Sequence, residues 1–238
     1  MLTVGVITAT RNHPLLKECV RSIDQQTYPC KHYLVADGVV DYIEFGSMVS
    51  EYASDDRYCA YWPTKIKKEP INAGRIYAAA PALINEDITM MLNEDDMYAP
   101  EHIESLVTLI ESQGLDWAYT HRAIYSKEGK YLFDDNCEAL GHDHEVFHIP
   151  GHHFAEACGM AMRTEAFVKC SQAFNVLSPY HDRMFYNTAV QLYPNFASTK
   201  KPTMLFRLGG NAASVTQSFF EKGNAVMKAR YPNGYPWE

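Results

Sequence analysis

The sequence predicts an α/β protein in which helices flank a mostly parallel sheet and the C-terminal part is less regular. The first observation is that short apolar segments rich in β-branched residues alternate with helix-patterned segments up to about residue 110, which is typical of consecutive β-α-β units. The second is the length, because 238 residues, 47% of them hydrophobic, can bury one substantial core. We therefore expect a single domain over residues 1–238.

The strands and helices of the first half follow from this alternation. TVGVIT, at Thr3–Thr8, is apolar on both sides, as expected of a strand buried inside a parallel sheet. The turn at residues 12–14 then opens a helix whose apolar residues recur at helical spacing as far as Ile23. The elements expected next are a strand ending at Asp37, a helix at Tyr42–Tyr52 and a strand at Tyr58–Trp62. A helix should then begin at Asn72 and Gly74, and Pro81 should end or bend it. A strand at Asp87–Leu92 and a helix at Glu101–Ile110 are expected after it.

The second half has a weaker pattern. DWAYTHRAIY and SKEGKYLF predict a hairpin with its turn at Lys127–Lys130. Helices are expected from Asp182 to Gln191 and over SVTQSFFEKGNAVMKARY, whereas residues 134–153 match no element. The core-facing residues predicted for the last helix are Phe219, Phe220, Val226 and Met227.

Composition argues against several classes of protein. The formal net charge of -8 disfavours a general nucleic-acid-binding surface, because nonspecific binding depends on Lys and Arg displacing counterions. Six cysteines without a C-x-x-C pair suggest neither a zinc knuckle nor a disulfide framework. The chain shows no apolar run of about 18 residues and no signal-peptide pattern, so the sequence predicts a cytoplasmic protein.

Polar residues follow three of the predicted strands, at Thr10–His13, Asp37–Gly38 and Asn93–Asp96. In parallel sheets, ligands bind beyond the carboxyl ends of the strands, so these stretches should converge on one cleft. The consecutive acids Glu94, Asp95 and Asp96 suit a hard divalent cation such as Mg²⁺ or Mn²⁺. The alternative is that Glu94 and Asp96 are solvated while Asp95 caps the following helix.

Several segments, taken in order, resemble the family-2 glycosyltransferases of the GT-A fold. They are VGVITATRNHPLLKECVRSIDQQTYP, LVADG, NAGRIYAAAPALI, MMLNEDDMYAPEHIESLV and, more weakly, YHDRMFYNTAVQLYP with LFRLGGNAAS. The resemblance implies a Rossmann-like sheet, a nucleotide-sugar-binding half at residues 1–112 and an acceptor-binding, catalytic half at 113–238. It implies transfer of a hexosyl or pentosyl group from a nucleotide-diphosphate sugar, with UDP-sugars favoured, to an acceptor hydroxyl, expected to belong to a saccharide.

The resemblance also implies roles for individual residues at the donor. Asp37 resembles the residue that receives the nucleobase edge, with Thr10 beside it, and Arg11 replaces the usual aromatic residue. Arg75 resembles the arginine near the nucleotide. The remaining donor-site candidates are Asn12, Asn72 and Glu94. Helix caps, turn formers and surface ion pairs are the alternatives for these residues.

For the metal, Asp95 matches the family's principal ligand and Asp96 is a further candidate. Asn93 stands where the family usually has the first aspartate of D-x-D, which removes one ligand charge. The cofactor implied is Mn²⁺ or Mg²⁺. A late histidine ligand is a further possibility, for which His153 is the candidate, although an acceptor-site loop is the other interpretation of the His-rich stretch GHDHEVFHIPGHH.

Asp182 matches the family's catalytic base, which takes the proton of the acceptor hydroxyl in an inverting transfer. Its alternative role is to cap the helix that follows. His181 and His152 are candidates for contact with the acceptor, and a homo-oligomer is an open possibility. Two other functions are also compatible with the sequence. One is a nucleotidyltransferase, and the other is a nucleotide- or sugar-binding module that has lost turnover.

Overall fold

A computed structural model of the chain describes residues 1–38, 41–62, 73–135, 155–175, 181–209 and 216–235. The strands in these ranges are β1 (Val4–Thr10), β2 (Lys31–Asp37), β3 (Arg57–Trp62), β4 (Ile88–Met91), β5 (Met97–Tyr98), β6 (Trp117–Tyr119), β7 (Arg122–Tyr125), β8 (Tyr131–Asp135), β9 (Met160–Arg163), β10 (Phe196–Ser198) and β11 (Met204–Arg207). The helices are α1 (Leu16–Asp24), α2 (Tyr42–Tyr52), α3 (Ala73–Ala79), α4 (His102–Gln113), α5 (Thr164–Cys170), α6 (His181–Leu192) and α7 (Gln217–Arg230).

A mostly parallel sheet carries the fold, as the sequence predicts. Its strand order is β10-β6-β9-β4-β1-β2-β3, and only the pairs that β9 makes with β4 and β6 are antiparallel. β1 lies inside the sheet and is buried along its whole length, which agrees with its uniformly apolar sequence. The carboxyl ends of β1, β2 and β4 therefore lie side by side.

A second sheet has the order β5-β11-β7-β8 and is built mainly from the C-terminal half. β11 pairs antiparallel with β5, and β5 directly follows the acidic stretch. A strand from near the C-terminal end of the sequence therefore lies beside that stretch. On one face of this sheet, Phe220 of α7 packs with Ile124 and Leu208. The second sheet accounts for the irregular pattern of the C-terminal half, because its short strands come from distant parts of the chain.

The predicted elements of the first half are confirmed with small shifts at their ends. α2 spans Tyr42–Tyr52 as predicted, and Asp41 begins it with a capping box that includes Glu44. Pro81 lies in a 3-10 turn at Ala80–Leu83, which ends the regular helix α3. Gly74 is required in α3, because a Cβ there would lie 2.9 Å from the backbone oxygen of Phe174.

In the second half, the predicted hairpin and the two predicted helices, α6 and α7, are confirmed, and two other expectations are corrected. β7 and β8 form the predicted hairpin, and Ser126 N–H donates to the Lys130 carbonyl at 2.8 Å in its turn. The preceding segment of the same stretch, β6, instead joins the large sheet. In α7, Phe220 and Met227 are buried, but Val226 is 38% exposed, so its core-facing assignment is wrong. No helix in the described ranges is long and apolar enough to cross a membrane.

Candidate functional site

The acidic stretch forms a tight turn at the carboxyl end of β4. Asp96 N–H donates to the Asn93 carbonyl at 3.2 Å, so Glu94 and Asp95 take the two central positions of a β-turn. Asp95 and Asp96 are buried, with exposed fractions of 7% and 2%. The chain then enters β5, and the next helix begins only at His102. A solvated acidic run that caps the following helix is therefore the wrong interpretation of this stretch.

Glu94 connects the acidic turn to the loop after β1. Its Oε2 accepts hydrogen bonds from Thr10 Oγ1 at 2.6 Å, from Arg11 N–H at 2.9 Å and from His13 N–H at 3.1 Å. Within this loop, Asn12 has a φ of 61°, in the left-handed region that asparagine tolerates better than most residues. The Asn12 N–H also donates to Thr10 Oγ1 at 2.9 Å. The carboxylate of Glu94 thus holds the conformation of the loop on which three predicted donor-site residues lie.

The loop after β1 is also tied to the end of β2. Arg11 Nε donates to Asp37 Oδ2 at 2.9 Å. The Asp37 side chain is almost fully buried, whereas 39% of the Arg11 side chain is exposed. The three polar stretches that follow β1, β2 and β4 therefore converge, as the sequence predicts.

Asp96 faces the interior of the site, where both of its carboxylate oxygens have partners. Oδ1 accepts from Arg207 N–H at 2.9 Å and Oδ2 accepts from Asn93 Nδ2 at 3.3 Å. Burial raises the pKa of Asp96 well above its usual range, and the neighbouring charges of Asp95 and Glu156 raise it further. Because Arg207 ends β11, this contact couples the acidic turn to the second sheet.

Glu156 is a buried carboxylate that no motif in the sequence singles out. It precedes the 3-10 turn Ala157–Gly159, and its Oε2 accepts from the Cys158 N–H at 2.9 Å. Burial raises the pKa of Glu156 to about 7; Arg122 opposes this rise and Asp182 adds to it. The available signal was one acidic residue inside the otherwise apolar segment AEACGMAM.

The remaining predicted site residues lie on two helices or outside the described ranges. Arg75 is half-buried on α3. His181 and Asp182 form the first turn of α6, where the His181 ring packs 5.4 Å from the ring of Phe174, measured between centroids. Asn72, His152 and His153 fall outside the described residues.

The residues of the acidic turn fit a divalent cation only if other ligands complete its coordination. In the described part of the chain, no three His, Cys, Asp or Glu residues are placed to hold a metal together. Asn93 Oδ1 is engaged by the Tyr77 hydroxyl at 3.4 Å. Asp95 and Asp96 nevertheless bring two like charges together in a buried turn, which a cation would relieve. Such a site suits Mg²⁺ or Mn²⁺ held by one or two carboxylates and completed by phosphate oxygens and water.

Solved structures with similar folds contain nucleotides and sugar nucleotides. The S. aureus TarS 1-349 structure has a TM-score of 0.63 and 13% identity, over 87% of this chain and 60% of that one. Its complex with UDP-GlcNAc gives the same TM-score and identity, over 98% and 67%. The mannosyltransferase PcManGT from Pyrobaculum calidifontis, in complex with GDP-Man and Mn²⁺, has a TM-score of 0.57 and 13% identity, over 89% and 59%.

These structural similarities establish the fold alone, since their identities are low, and the chain spans only 60% of the length of TarS 1-349. Curated protein sequences give no match. The family model described as "Glycosyl transferase family 2", however, matches residues 5–170, which include the strand ends and the acidic turn. The chain therefore has the GT-A fold and belongs to glycosyl transferase family 2.

Proposed function

We propose that the protein transfers a hexosyl or pentosyl group from a nucleotide-diphosphate sugar to an acceptor hydroxyl, with inversion and with the help of a divalent cation. The observation that carries this proposal is the network in which Thr10, Arg11, Asp37 and Glu94 join the ends of three parallel strands beside the acidic turn. A preorganised polar cleft at this edge of the sheet is where α/β proteins bind nucleotides.

The nucleotide is proposed to lie across the ends of β1 and β2. The buried carboxylate of Asp37 is suited to accept a hydrogen bond from the edge of a base. Arg11 is held beside it and keeps an exposed part that can stack on the base. UDP is the favoured nucleotide, because the S. aureus TarS structure contains UDP-GlcNAc in a similar fold.

The diphosphate is proposed to lie at the acidic turn. Asp95 would hold the cation, with Asp96 and Asn93 beside it and the phosphates supplying other ligands. A bound Mn²⁺ or Mg²⁺ would neutralise the charge that develops on the leaving diphosphate. The complex of PcManGT with Mn²⁺ favours such a cation. Asn93 maintains the turn, because its amide donates to Asp96.

Asp182 is proposed as the catalytic base. Its carboxylate takes the proton of the acceptor hydroxyl while that oxygen bonds to the anomeric carbon. The bond between the anomeric carbon and the diphosphate oxygen breaks with inversion, and the nucleoside diphosphate leaves with the bonding electron pair. The position of Asp182 in the first turn of α6, within electrostatic reach of Glu156, supports this role. His181, its neighbour, is proposed to contact a saccharide acceptor.

Thermal unfolding with nucleotides tests the donor class. UDP, GDP, CDP, ADP and their sugars are added with and without Mn²⁺ to the wild type, to Asp95→Ala and to a control, Asp55→Ala. Asp55 is an exposed carboxylate that precedes β3, at the opposite edge of the sheet. One nucleotide should raise the melting temperature of the wild type and the control in a Mn²⁺-dependent way, because a ligand of the folded state stabilises it. Asp95→Ala should lose this shift.

A donor-consumption assay then separates the functions. Release of the nucleoside diphosphate confirms glycosyl transfer, whereas release of pyrophosphate would identify a nucleotidyltransferase. Nucleotide binding without consumption of any sugar donor, unchanged in Asp182→Asn, would identify an inactive binding module. If no nucleotide stabilises the wild type, the donor-site assignment fails.

A further inference from the structure

Glu156 has no role in the chemistry described above, yet it is a buried carboxylate beside the groups that carry it. Its residue is 9% exposed. One oxygen, Oε2, accepts from the Cys158 N–H at 2.9 Å. The other, Oε1, accepts no hydrogen bond from the described part of the chain. Oε1 is not one of the fully buried unpaired atoms of the described residues, so water or a ligand can reach it, and a carboxylate oxygen can accept a hydrogen bond from either.

The backbone places Glu156 between the acidic turn and Asp182. β9 runs antiparallel to β4, with Met90 opposite Ala161, so the turn that precedes β9 lies next to the carboxyl end of β4. The Tyr98 hydroxyl joins the two segments, since it lies 2.7 Å from the carbonyl oxygens of both Met91 and Cys158. On the other side, α6 packs against this same turn.

The charges around Glu156 exclude several kinds of partner. The Asp96 carboxylate interacts electrostatically with Glu156 from the acidic turn, and so does Asp182 from α6. The nearby Arg122 is already bound to Asp135 at 2.8 Å. An anionic group such as a phosphate would be repelled at this position. A metal shared with the acidic turn is also disfavoured, because no three carboxylates among the described residues are placed to hold one.

A neutral hydrogen-bond donor remains, and a sugar hydroxyl is the donor that the reaction brings to this place. The transferred sugar must lie between the diphosphate at Asp95 and the base that activates the acceptor. This argument rests on the proposed function. We propose that Glu156 Oε1 accepts a hydrogen bond from a hydroxyl of the donor sugar, and that Glu156 is a specificity-determining residue for that sugar.

The test separates binding of the sugar from binding of the nucleotide. Dissociation constants of UDP and UDP-N-acetylglucosamine, each with Mn²⁺, are measured by calorimetry for the wild type, Glu156→Gln and Glu156→Asp. If the nucleotide screen selects another base, the matching pair of ligands is used. Gln keeps an oxygen for the Cys158 N–H but replaces the second acceptor by a donor, whereas Asp keeps the charge and shortens its reach.

Glu156→Gln should weaken the sugar nucleotide about 10- to 100-fold, the effect of losing a hydrogen bond to a charged acceptor. It should leave UDP affinity within about twofold, and at pH 7 it should not lower the melting temperature without ligand. Glu156→Asp should bind the sugar nucleotide with intermediate affinity. This pattern differs from that of a structural residue, whose loss would weaken both ligands and lower the melting temperature.

Three results would overturn the inference. Unchanged affinity for the sugar nucleotide in Glu156→Gln shows that the side chain does not touch the sugar. Equal weakening of both ligands, or failure of both variants to fold, shows that Glu156 supports the fold. If the wild type binds no nucleotide at all, the donor-site proposal fails and this inference fails with it, whereas UDP binding without an effect of Glu156→Gln refutes the role of Glu156 alone.

Discussion

Replacing Glu94 by alanine tests whether its carboxylate holds the conformation of the loop after β1. Its Oε2 accepts from Thr10 Oγ1 at 2.6 Å, from Arg11 N–H at 2.9 Å and from His13 N–H at 3.1 Å. Alanine leaves all three donors without their acceptor. The loop would then lose the contact that fixes its left-handed residue, Asn12, and that holds Arg11 beside the nucleotide site.

The expected loss of stability can be worked out from these contacts. A hydrogen bond to a charged group contributes about 1.5–3 kcal/mol. Glu94 is only half-buried, and one oxygen serves all three donors, so the contributions do not add fully. We expect the free energy of unfolding to fall by about 3 kcal/mol in total. For a chain of this size, each kcal/mol lowers the melting temperature by about 2–4 °C, which gives about 6–12 °C.

Urea denaturation gives the free energy of unfolding, and thermal unfolding with UDP and Mn²⁺ gives ligand binding. Glu165→Ala is the matched control, because Glu165 is exposed on α5, and its change should stay within about 0.5 kcal/mol. Glu94→Gln keeps an acceptor oxygen and should show an intermediate loss. If Glu94→Ala has the stability of the wild type but no longer responds to UDP and Mn²⁺, Glu94 contacts the ligand directly and our reasoning about the loop is wrong.

Three further predictions concern the acidic turn and the catalytic groups. Asp182→Asn should lower donor consumption by about 10²- to 10⁴-fold, the usual contribution of a general base, and leave the nucleotide-induced thermal shift intact; equal loss of both would contradict a purely catalytic role. Because burial raises the pKa of Glu156 in the folded protein to about 7, ionisation of this group opposes folding as the pH rises from about 4.5 to 7. The melting temperature of Glu156→Gln minus that of the wild type should therefore rise between pH 5 and 8. If this difference stays constant over that range, the pKa of Glu156 is not raised. Asn93→Asp removes the amide donor to Asp96 and adds a charge, so thermal unfolding without metal should occur at a lower temperature, while Mn²⁺ with UDP should stabilise the variant more than the wild type.

Local sequence patterns were sufficient for the elements of the first half. The bounds of α2 agree with the prediction because Asp41 and Glu44 form its capping box within one short segment. The 3-10 turn after α3 follows from Pro81, which cannot continue a regular helix. In these cases the interacting groups lie within a few residues of each other, so a single sequence contains the needed information.

Long-range pairing explains the expectations that were wrong. β6 and β7 come from one continuous stretch, yet β6 joins the large sheet while β7 pairs with β8 and β11. The partners that separate them, β9 and β11, are reached only later in the chain. Val226 is exposed because the position of α7 on the second sheet selects which face of the helix is covered, and helical periodicity alone does not contain that position.

The sequence by itself determined that the protein is an α/β protein, that its polar strand ends converge and that acidic residues follow β4. Parallel sheets bring their carboxyl ends to one edge whatever the detailed packing, so this conclusion needed only the order of the elements. The tertiary structure alone decided how the carboxylates are used: Glu94 binds the loop after β1, Asp96 binds the N–H of Arg207, and Glu156 lies between the acidic turn and Asp182. These contacts join residues far apart in the chain, and the packing of separate strands and helices sets which oxygen faces which donor.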